Sequence, residues 1–171
     1  MVIKTYDFVG ESAYINSICD VIHNELYFLH DDDYAYDMAI NEAVLNAAQN
    51  SVDGSDGAKI HIEIRITDYD VTTKISCNTV PRDMFAYREQ LLAVSNKPEF
   101  FNSDWTEYTA DFPEASRGIW FMLYGTEYIY MDRQAQSVRL CTRNPIVRKN
   151  ATKKMRDLLM RFFIEQDEVL L

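Results

Sequence analysis

The chain has 171 residues, of which 47% are hydrophobic and 13% aromatic, enough for one well-buried core and too few for two domains of ordinary size. Its net charge of -10 disfavours direct binding to nucleic acid, because phosphate backbones select clustered Lys and Arg. The chain has no apolar run of membrane-spanning length, and its start, MVIKTYDFVGES, lacks the layout of a secretory signal. We therefore expect a soluble, cytoplasmic protein that does not bind membranes.

The cysteine spacing and the uneven distribution of charge indicate which kinds of site and partner to expect. Cys19, Cys77 and Cys141 are widely spaced and form no C-x-x-C pair, which argues against a disulfide framework or a zinc site and favours buried free thiols. Residues 148–161 carry six Lys or Arg residues and a single acid, Asp157. An acidic body followed by a basic segment indicates polar pairing with a protein partner or with a second copy, as a homodimer.

The first predicted elements are a strand and a helix. Residues 2–8 have the β-branched and aromatic composition of a strand, and residues 14–29 carry apolar side chains at helical spacing. The acidic run HDDD at residues 30–33 suits the positive N-terminal end of a following helix. An EF-hand is disfavoured there because Tyr36 stands where that loop needs glycine. A metal-dependent hydrolase using Asp31, Asp32 and Asp33 is a further alternative.

The helix predicted at residues 37–51, DMAINEAVLNAAQNS, carries a polar face. Residues three, four, seven and eight apart share one side of a helix, so Glu42, Asn46, Gln49 and Asn50 line up, while Val44 falls on another side and can bury. A carboxylate followed four residues later by an amide can hold a water and a metal-bound phosphate together. The same pattern is also typical of an ordinary amphipathic helix whose polar side faces solvent.

The remaining predicted elements include both strands and helices. Residues 60–66 and 71–77 alternate apolar and polar side chains and predict a hairpin, and residues 84–94 predict a helix. Residues 99–115 are rich in aromatic side chains and predict a segment that packs down or presents an apolar patch to a partner. Residues 128–132 and 137–143 predict two more strands. Residues 155–163 predict an amphipathic helix with a basic opposite face.

Residues 42–47, EAVLNA, resemble the N-box of the GHKL superfamily of histidine-kinase-like ATPases, in the version found in bacterial anti-sigma-factor serine kinases. The family pattern reads E-A-V-x-N-A-x-x-H, and Asn50 stands where the family usually has His. The resemblance implies that Glu42 is the catalytic residue, which polarises the attacking group. It implies that Asn46 ligates the magnesium of ATP and that Asn50 lies beside the nucleotide.

The G1 box of the superfamily follows in a degenerate form. At the end of the second hairpin strand the family carries D-x-G-x-G, whose Asp bonds the adenine amino group and whose glycines let the backbone turn beneath the base. Residues 78–82 read NTVPR here. Asn78 takes the place of the Asp and can still accept a hydrogen bond from the adenine. Val80 and Arg82 replace the glycines, and their side chains would crowd the nucleotide or change the turn.

The last two resemblances lie near the C-terminal strands. Residues 116–119, SRGI, resemble the G2 box, G-R-G-L, which opens a helix whose free amides bind phosphate. This implies phosphate contacts from Arg117 and Gly118, although Ser116 replaces the first glycine. A Ser N-cap before a core helix would give the same letters. Residues 136–137, QS, imperfectly match the G-T that precedes the family's last strand, which implies a nucleotide contact from Ser137.

Taken in order over residues 2–143, these elements predict an α/β (α+β) two-layer sandwich, with a mixed, mostly antiparallel sheet of four or five strands and helices on one face. Residues 1–145 would form the histidine-kinase-like ATPase domain, and residues 146–171 a C-terminal helix packed on it or used in an interface. The resemblance implies an anti-sigma-factor-like regulator that binds ATP and magnesium. It also implies serine/threonine kinase activity on a sigma factor or an anti-sigma antagonist in a partner-switching pathway. The alternative is a nucleotide-free relative that only sequesters a protein.

Overall fold

The computed structural model of the protein describes residues 1–9, 12–29, 34–108, 117–146 and 152–165, without the side chains of residues 12–16, 107 and 108. The strands of the described part are β1 (Val2–Val9), β2 (Lys59–Ile66), β3 (Asp70–Cys77), β4 (Tyr128–Met131), β5 (Ser137–Arg143) and β6 (Phe162–Ile164). Its helices are α1 (Ser12–Leu26), α2 (Ala35–Gln49), α3 (Met84–Ser95), α4 (Trp105–Tyr108), α5 (Arg117–Gly125) and α6 (Met155–Leu159). The predicted strands β1 to β5 and helices α1 to α3 are confirmed to within a few residues. The metal site considered at residues 31–33 lies outside the described residues.

The strands form one mixed sheet in the order β1-β2-β3-β5-β4-β6. All neighbouring pairs are antiparallel except β4 and β6, which are parallel. The predicted α+β class with a mixed, mostly antiparallel sheet is therefore confirmed. The predicted number of four or five strands is wrong, because β6 adds a sixth.

The sixth strand also corrects the helix predicted at residues 155–163. The helix α6 ends at Leu159, and the chain then pairs with the free edge of β4. The backbone N–H of Ile129 donates to the Arg161 carbonyl at 2.9 Å, and that of Glu165 donates to the Met131 carbonyl at 2.8 Å. These long-range hydrogen bonds satisfy a strand edge, which local helical spacing could not reveal.

One face of the sheet is apolar and carries the core. The alternation within β2 buries Ile60, Ile62 and Ile64, and leaves charged and polar side chains on the other face. The helix α2 packs on the buried face through Tyr36, which is fully buried. The Tyr36 hydroxyl donates to the Leu140 carbonyl oxygen at 3.1 Å and lies 3.0 Å from the Thr73 hydroxyl oxygen. A helix is thereby fixed to two neighbouring strands of the sheet.

The helices α2 and α5 cross with their backbones in close contact. A methyl group on Gly125 would lie 2.1 Å from the Ala35 carbonyl oxygen and 2.7 Å from the Cβ atom of Ala39. Gly118, at the other end of α5, faces Glu42 and Asn46 near the C-terminal end of α2. The two helices therefore run antiparallel, and small residues at the crossing permit the close approach.

The aromatic segment predicted at residues 99–115 packs down at Trp105. This side chain is buried, and its ring meets that of Phe121 edge-on, with centroids 4.9 Å apart. Phe101 remains partly exposed, with the Arg156 guanidinium 4.7 Å from its ring centroid. The residues from 109 to 115 lie outside the described part.

The cysteines are free thiols, as predicted, but only Cys77 is buried, whereas Cys19 and Cys141 are half-buried. Burial raises the pKa of Cys19 to about 11, so its thiol is protonated at neutral pH. Within the described ranges, no helix has both the length and the apolar character needed to cross a membrane.

Candidate functional site

A cavity of about 200 Å³ lies between α2, α5 and the apolar face of the sheet, and is closed on one side by the segment that runs from β3 into α3. The segment is held in place by backbone hydrogen bonds, since the Val80 N–H donates to the Asn50 carbonyl at 2.7 Å. Asp83 accepts hydrogen bonds from the backbone N–H groups of Phe85 and Ala86, which fixes the start of α3. The apolar lining comes from several elements and includes Ile75, Met84, Ile119, Met122, Met131 and Val138.

Three of the predicted nucleotide-binding residues line this cavity. Asn46 and Asn50 contribute from α2, and Ser137 contributes from the start of β5. The Asn50 amide nitrogen donates to the Asn46 carbonyl at 2.7 Å and so caps the last turn of α2. Val80 and Arg82, which the resemblance aligns with the glycines of the G1 box, are exposed and also line the cavity. Their side chains therefore stand where a glycine-rich turn would leave room.

Glu42, Asn46 and Gly118 converge beside the cavity. A methyl group on Gly118 would lie 2.5 Å from Asn46 Nδ2 and 3.1 Å from Glu42 Oε2, so the two α2 side chains lie directly against the backbone of α5. Arg117 is the first residue of α5 and adjoins the same point. The spacing of four residues on α2 and the glycine on α5 together bring a carboxylate, an amide and a helix N-terminus into one place.

The Glu42 carboxyl is half-buried, and desolvation raises its pKa above the ordinary value. Neither this carboxyl nor the side-chain amide of Asn46 has a hydrogen bond or ion pair to another described residue. Half-buried polar groups that lack protein partners have capacity to bind a ligand or water. A carboxylate with a raised pKa is also suited to accept a proton.

Asn78 does not line the cavity. Its amide oxygen accepts hydrogen bonds from the Ser51 hydroxyl at 3.2 Å and the Lys59 backbone N–H at 3.3 Å, and its amide nitrogen donates to the Asp53 carboxylate. These contacts hold the loop between α2 and β2. Asn78 instead borders a larger and more open groove on the polar face of the sheet, together with Lys59.

Several cavity residues were missed by the sequence analysis. Met84, Met122 and Met131 come from three separate elements, so no local pattern connects them, and their flexible thioethers adapt to irregular space. Tyr87 also lines the cavity, and burial raises its pKa. Thr79 is fixed there by donating its hydroxyl proton to the Ala135 carbonyl at 2.8 Å.

Metal ligands are sparse in the described part of the chain. No three His, Cys, Asp or Glu residues come together there as a metal-binding group. A magnesium ion needs fewer protein ligands when phosphate oxygens and waters complete its octahedral shell. Asn46 and Glu42 are the side chains near Gly118 with oxygen atoms to offer.

No protein-family model matches the sequence, and the search of curated proteins gives no significant match. Any functional assignment therefore depends on the motifs and on the cavity beside Glu42, Asn46 and Gly118.

Proposed function

We propose that this protein is a nucleotide-binding regulator of the anti-sigma-factor type, with ATP as its ligand. The observation that carries the proposal is the convergence of Glu42, Asn46 and Gly118 beside a partly apolar cavity. These are the three residues to which the resemblance gives the catalytic carboxylate, the magnesium-ligating amide and the phosphate-binding glycine. Helical spacing alone places Glu42 beside Asn46, so the independent support is the position of Gly118, on another helix, against both of them.

The cavity is large enough to enclose only part of a nucleotide. A volume of about 200 Å³ is below the range of about 300–1,000 Å³ typical of sites that enclose a whole drug-sized ligand. The methionine-lined interior suits the flat, apolar faces of an adenine ring. The phosphates would then lie outside the cavity, near Arg117 and the N-terminus of α5, where backbone N–H groups and the helix dipole favour anions.

The residues present fit a magnesium ion bound together with phosphate. Asn46 would supply one oxygen ligand, with Glu42 beside it. When bound, the ion would neutralise charge on the phosphates. In phosphoryl transfer to a Ser or Thr hydroxyl of a partner, Glu42 would accept the hydroxyl proton, a role that the raised pKa of this carboxyl favours. The partner would be a sigma factor or its antagonist, so that the switch acts on transcription.

A second candidate is a nucleotide-free module that only sequesters a protein. The observation that favours it is the state of the G1 segment, since Val80 and Arg82 project side chains at the cavity and Asn78 is engaged by the Asp53 loop. A nucleotide would have to displace these side chains, whereas a protein-binding surface would tolerate them.

A thermal-shift titration separates the two candidates. If ATP binds, Mg·ATP at a hundred times its Kd should stabilise the protein by about 2.7 kcal/mol, which raises Tm by about 5–10 °C. Asn46→Ala should abolish this shift. The matched control is Asn41→Ala, which changes the same residue type on α2 but does not line the cavity.

The catalytic role of Glu42 is tested with the same proteins. Glu42→Ala should keep the thermal shift and lose the conversion of ATP to ADP. A wild-type protein that shows no shift at millimolar Mg·ATP would leave the nucleotide-free module as the function. A shift that survives Asn46→Ala would place the nucleotide elsewhere.

A further inference from the structure

A groove of about 1080 Å³ lies on the polar face of the sheet, where β2 and β5 begin and β3 ends. The segment from β3 to α3 and the turn between β4 and β5 form its other walls. Its lining includes four cations, which are Lys59, Lys74, Arg82 and Arg133. The chain as a whole has a net charge of -10, so this concentration of positive charge departs from the general distribution.

The two arginines are placed side by side by the backbone. The Arg82 N–H donates to the Gln134 carbonyl at 3.1 Å, and the Met84 N–H donates to the Arg133 carbonyl at 3.1 Å. The guanidinium carbon of Arg133 also lies 5.7 Å from the centroid of the Phe85 ring. An aromatic ring holds a cation without neutralising its charge, so this arginine remains able to bind an anion.

The two lysines project from neighbouring strands. Lys59 opens β2, where its backbone N–H donates to the side-chain oxygen of Asn78 at 3.3 Å, and Lys74 lies on β3. Glu63 lies opposite Lys74 in the strand pairing, but the two side chains form no ion pair. None of the four cations forms an ion pair with any described residue. Unpaired cations that share one groove raise the local concentration of anions.

The carboxylates near the groove are engaged by other groups. Asp83 and Asp132 line it, and both accept hydrogen bonds from backbone N–H groups. At its border, Asp7 lies 2.7 Å from His61 Nδ1, and Asp53 accepts from a side-chain amide. The four cations therefore exceed the two carboxylates of the lining. An extended anionic polymer would bring further charges toward the bordering carboxylates, whereas a small anion would not.

The donors of the groove match phosphate. Besides the cations, the lining offers side-chain amide and hydroxyl donors from Gln134, Gln136, Ser76 and Ser137. A phosphate group presents three acceptor oxygens to such donors, and an arginine can bind two of them at once. We propose that this groove binds a small anion with two or more phosphate groups, one group beside the two arginines and another beside the two lysines.

This inference does not depend on the proposed nucleotide site. Lys59, Lys74 and Arg133 line the groove and not the cavity beneath α2, whereas Arg82 lines both. The test therefore leaves Arg82 unchanged. Asn46→Ala, which should abolish the thermal shift with Mg·ATP, should leave anion binding in the groove unchanged, so failure of one site is distinguishable from failure of the other.

The probe is inorganic pyrophosphate, measured by equilibrium dialysis of the radiolabelled anion against the whole protein, in the presence of EDTA and at about 0.15 M ionic strength. The groove variant Lys74→Ala/Arg133→Ala should weaken binding at least about tenfold, because it removes two charge-assisted donors. The matched control is Arg65→Ala/Lys97→Ala. It removes the same charges from exposed positions outside the groove and should bind as the wild type does. Because all four side chains are exposed, unchanged Tm values should exclude unfolding as the cause.

Four outcomes would overturn the proposal. The first is no binding by the wild type at millimolar pyrophosphate. The second is equal weakening in the groove variant and its control, which would show attraction by net charge alone. The third is binding only by a chain that ends at Glu165, since the chain's own Asp167 and Glu168 would then compete for the groove. The fourth is tighter binding of a polyglutamate peptide than of pyrophosphate, which would make the groove a protein interface.

Discussion

Gly118 is the residue at which the fold and the candidate site meet. Alanine there gains about 1 kcal/mol of helix propensity, but its methyl group would come within 2.5 Å of Asn46 Nδ2. The Asn46 amide can rotate away at low cost because it ends a flexible side chain. We expect Gly118→Ala to change the free energy of unfolding by less than about 1 kcal/mol while abolishing the thermal shift with Mg·ATP. A variant that keeps the full shift would show that Asn46 is not a ligand.

Glu42 gives the site a pH dependence. Burial raises its pKa in the folded state above the ordinary value of 4.5, so the folded protein holds the proton more tightly than the unfolded chain. The stability from this carboxyl is present below pH 4.5 and is lost as pH rises through the folded-state pKa. At pH 7 the charged form of Glu42 therefore lowers the free energy of unfolding, and substitution by glutamine removes this destabilisation.

Glu42→Gln should raise Tm at pH 7, because glutamine carries no charge for burial to disfavour. The gain should shrink on acidification and disappear below the ordinary Glu pKa. Circular dichroism melts across this pH range measure it. Glu99→Gln makes the same substitution at an exposed position and is the control. A Tm lowered at pH 7 would contradict the assigned burial effect.

At the same scale, helical spacing placed Glu42 and Asn46 on one face, and the resemblance named Gly118 and Ser137 on other elements, whereas the methionines and Tyr87 of the cavity were missed. Glu42 and Asn46 could be placed together because one helical turn separates them. Met84 and Tyr87 come from α3, Met122 from α5 and Met131 from β4, and only the tertiary fold brings these three elements together. Asn78 could be aligned with an adenine-binding Asp, but its hydrogen bonds to Ser51 and Asp53 depend on a loop whose path the sequence does not reveal.

Among the elements, the crossing of α2 and α5 leaves no room for a side chain at Gly125. A methyl group on Gly125 would meet backbone, the Ala35 carbonyl oxygen at 2.1 Å, so the helices would have to separate. We expect Gly125→Ala to destabilise the protein by about 3 kcal/mol, at the upper end for overpacked cores. Urea unfolding measures the change. Gly118→Ala is the natural comparison, since the same substitution near the other end of α5 meets only side-chain atoms, and equal losses in both variants would contradict this account.

The elements themselves were predicted well where the apolar period was long. The alternation in β2 and β3 and the helical spacing of α1 extend over enough residues to distinguish strand from helix. Residues 155–163 are too short for that distinction, because Met155, Leu158, Leu159 and Phe162 fit helical spacing in a helix of five residues followed by a strand. The free edge of β4, contributed by a distant part of the chain, decides the outcome.

For the whole molecule, like-charge repulsion is the dominant long-range term. The chain has 27 Asp or Glu residues against 17 Lys or Arg, and its sequence contains no lysine or arginine between Lys4 and Lys59. Raising the ionic strength from about 0.01 M to about 0.15 M shortens the Debye length from about 30 Å to about 8 Å. Tm should therefore rise over this interval, as followed by differential scanning calorimetry. An equal osmolarity of sucrose is the control, and a falling Tm would show that attractive ion pairs outweigh the repulsion.

The pairing of β6 with β4 has a practical consequence for anyone who shortens this protein. A chain cut after Pro145 would keep every motif of the ATPase resemblance. The backbone hydrogen-bonding groups at the edge of β4 would, however, be free to pair with a strand of another molecule. The hydrophobic surface now covered by Leu158 and Phe162 would also be exposed. We expect such a truncated chain to precipitate when expressed, and a separately supplied peptide spanning residues 152–165 to restore it to the supernatant. Residues 152–165 would then act as a separable segment that completes the edge of the sheet.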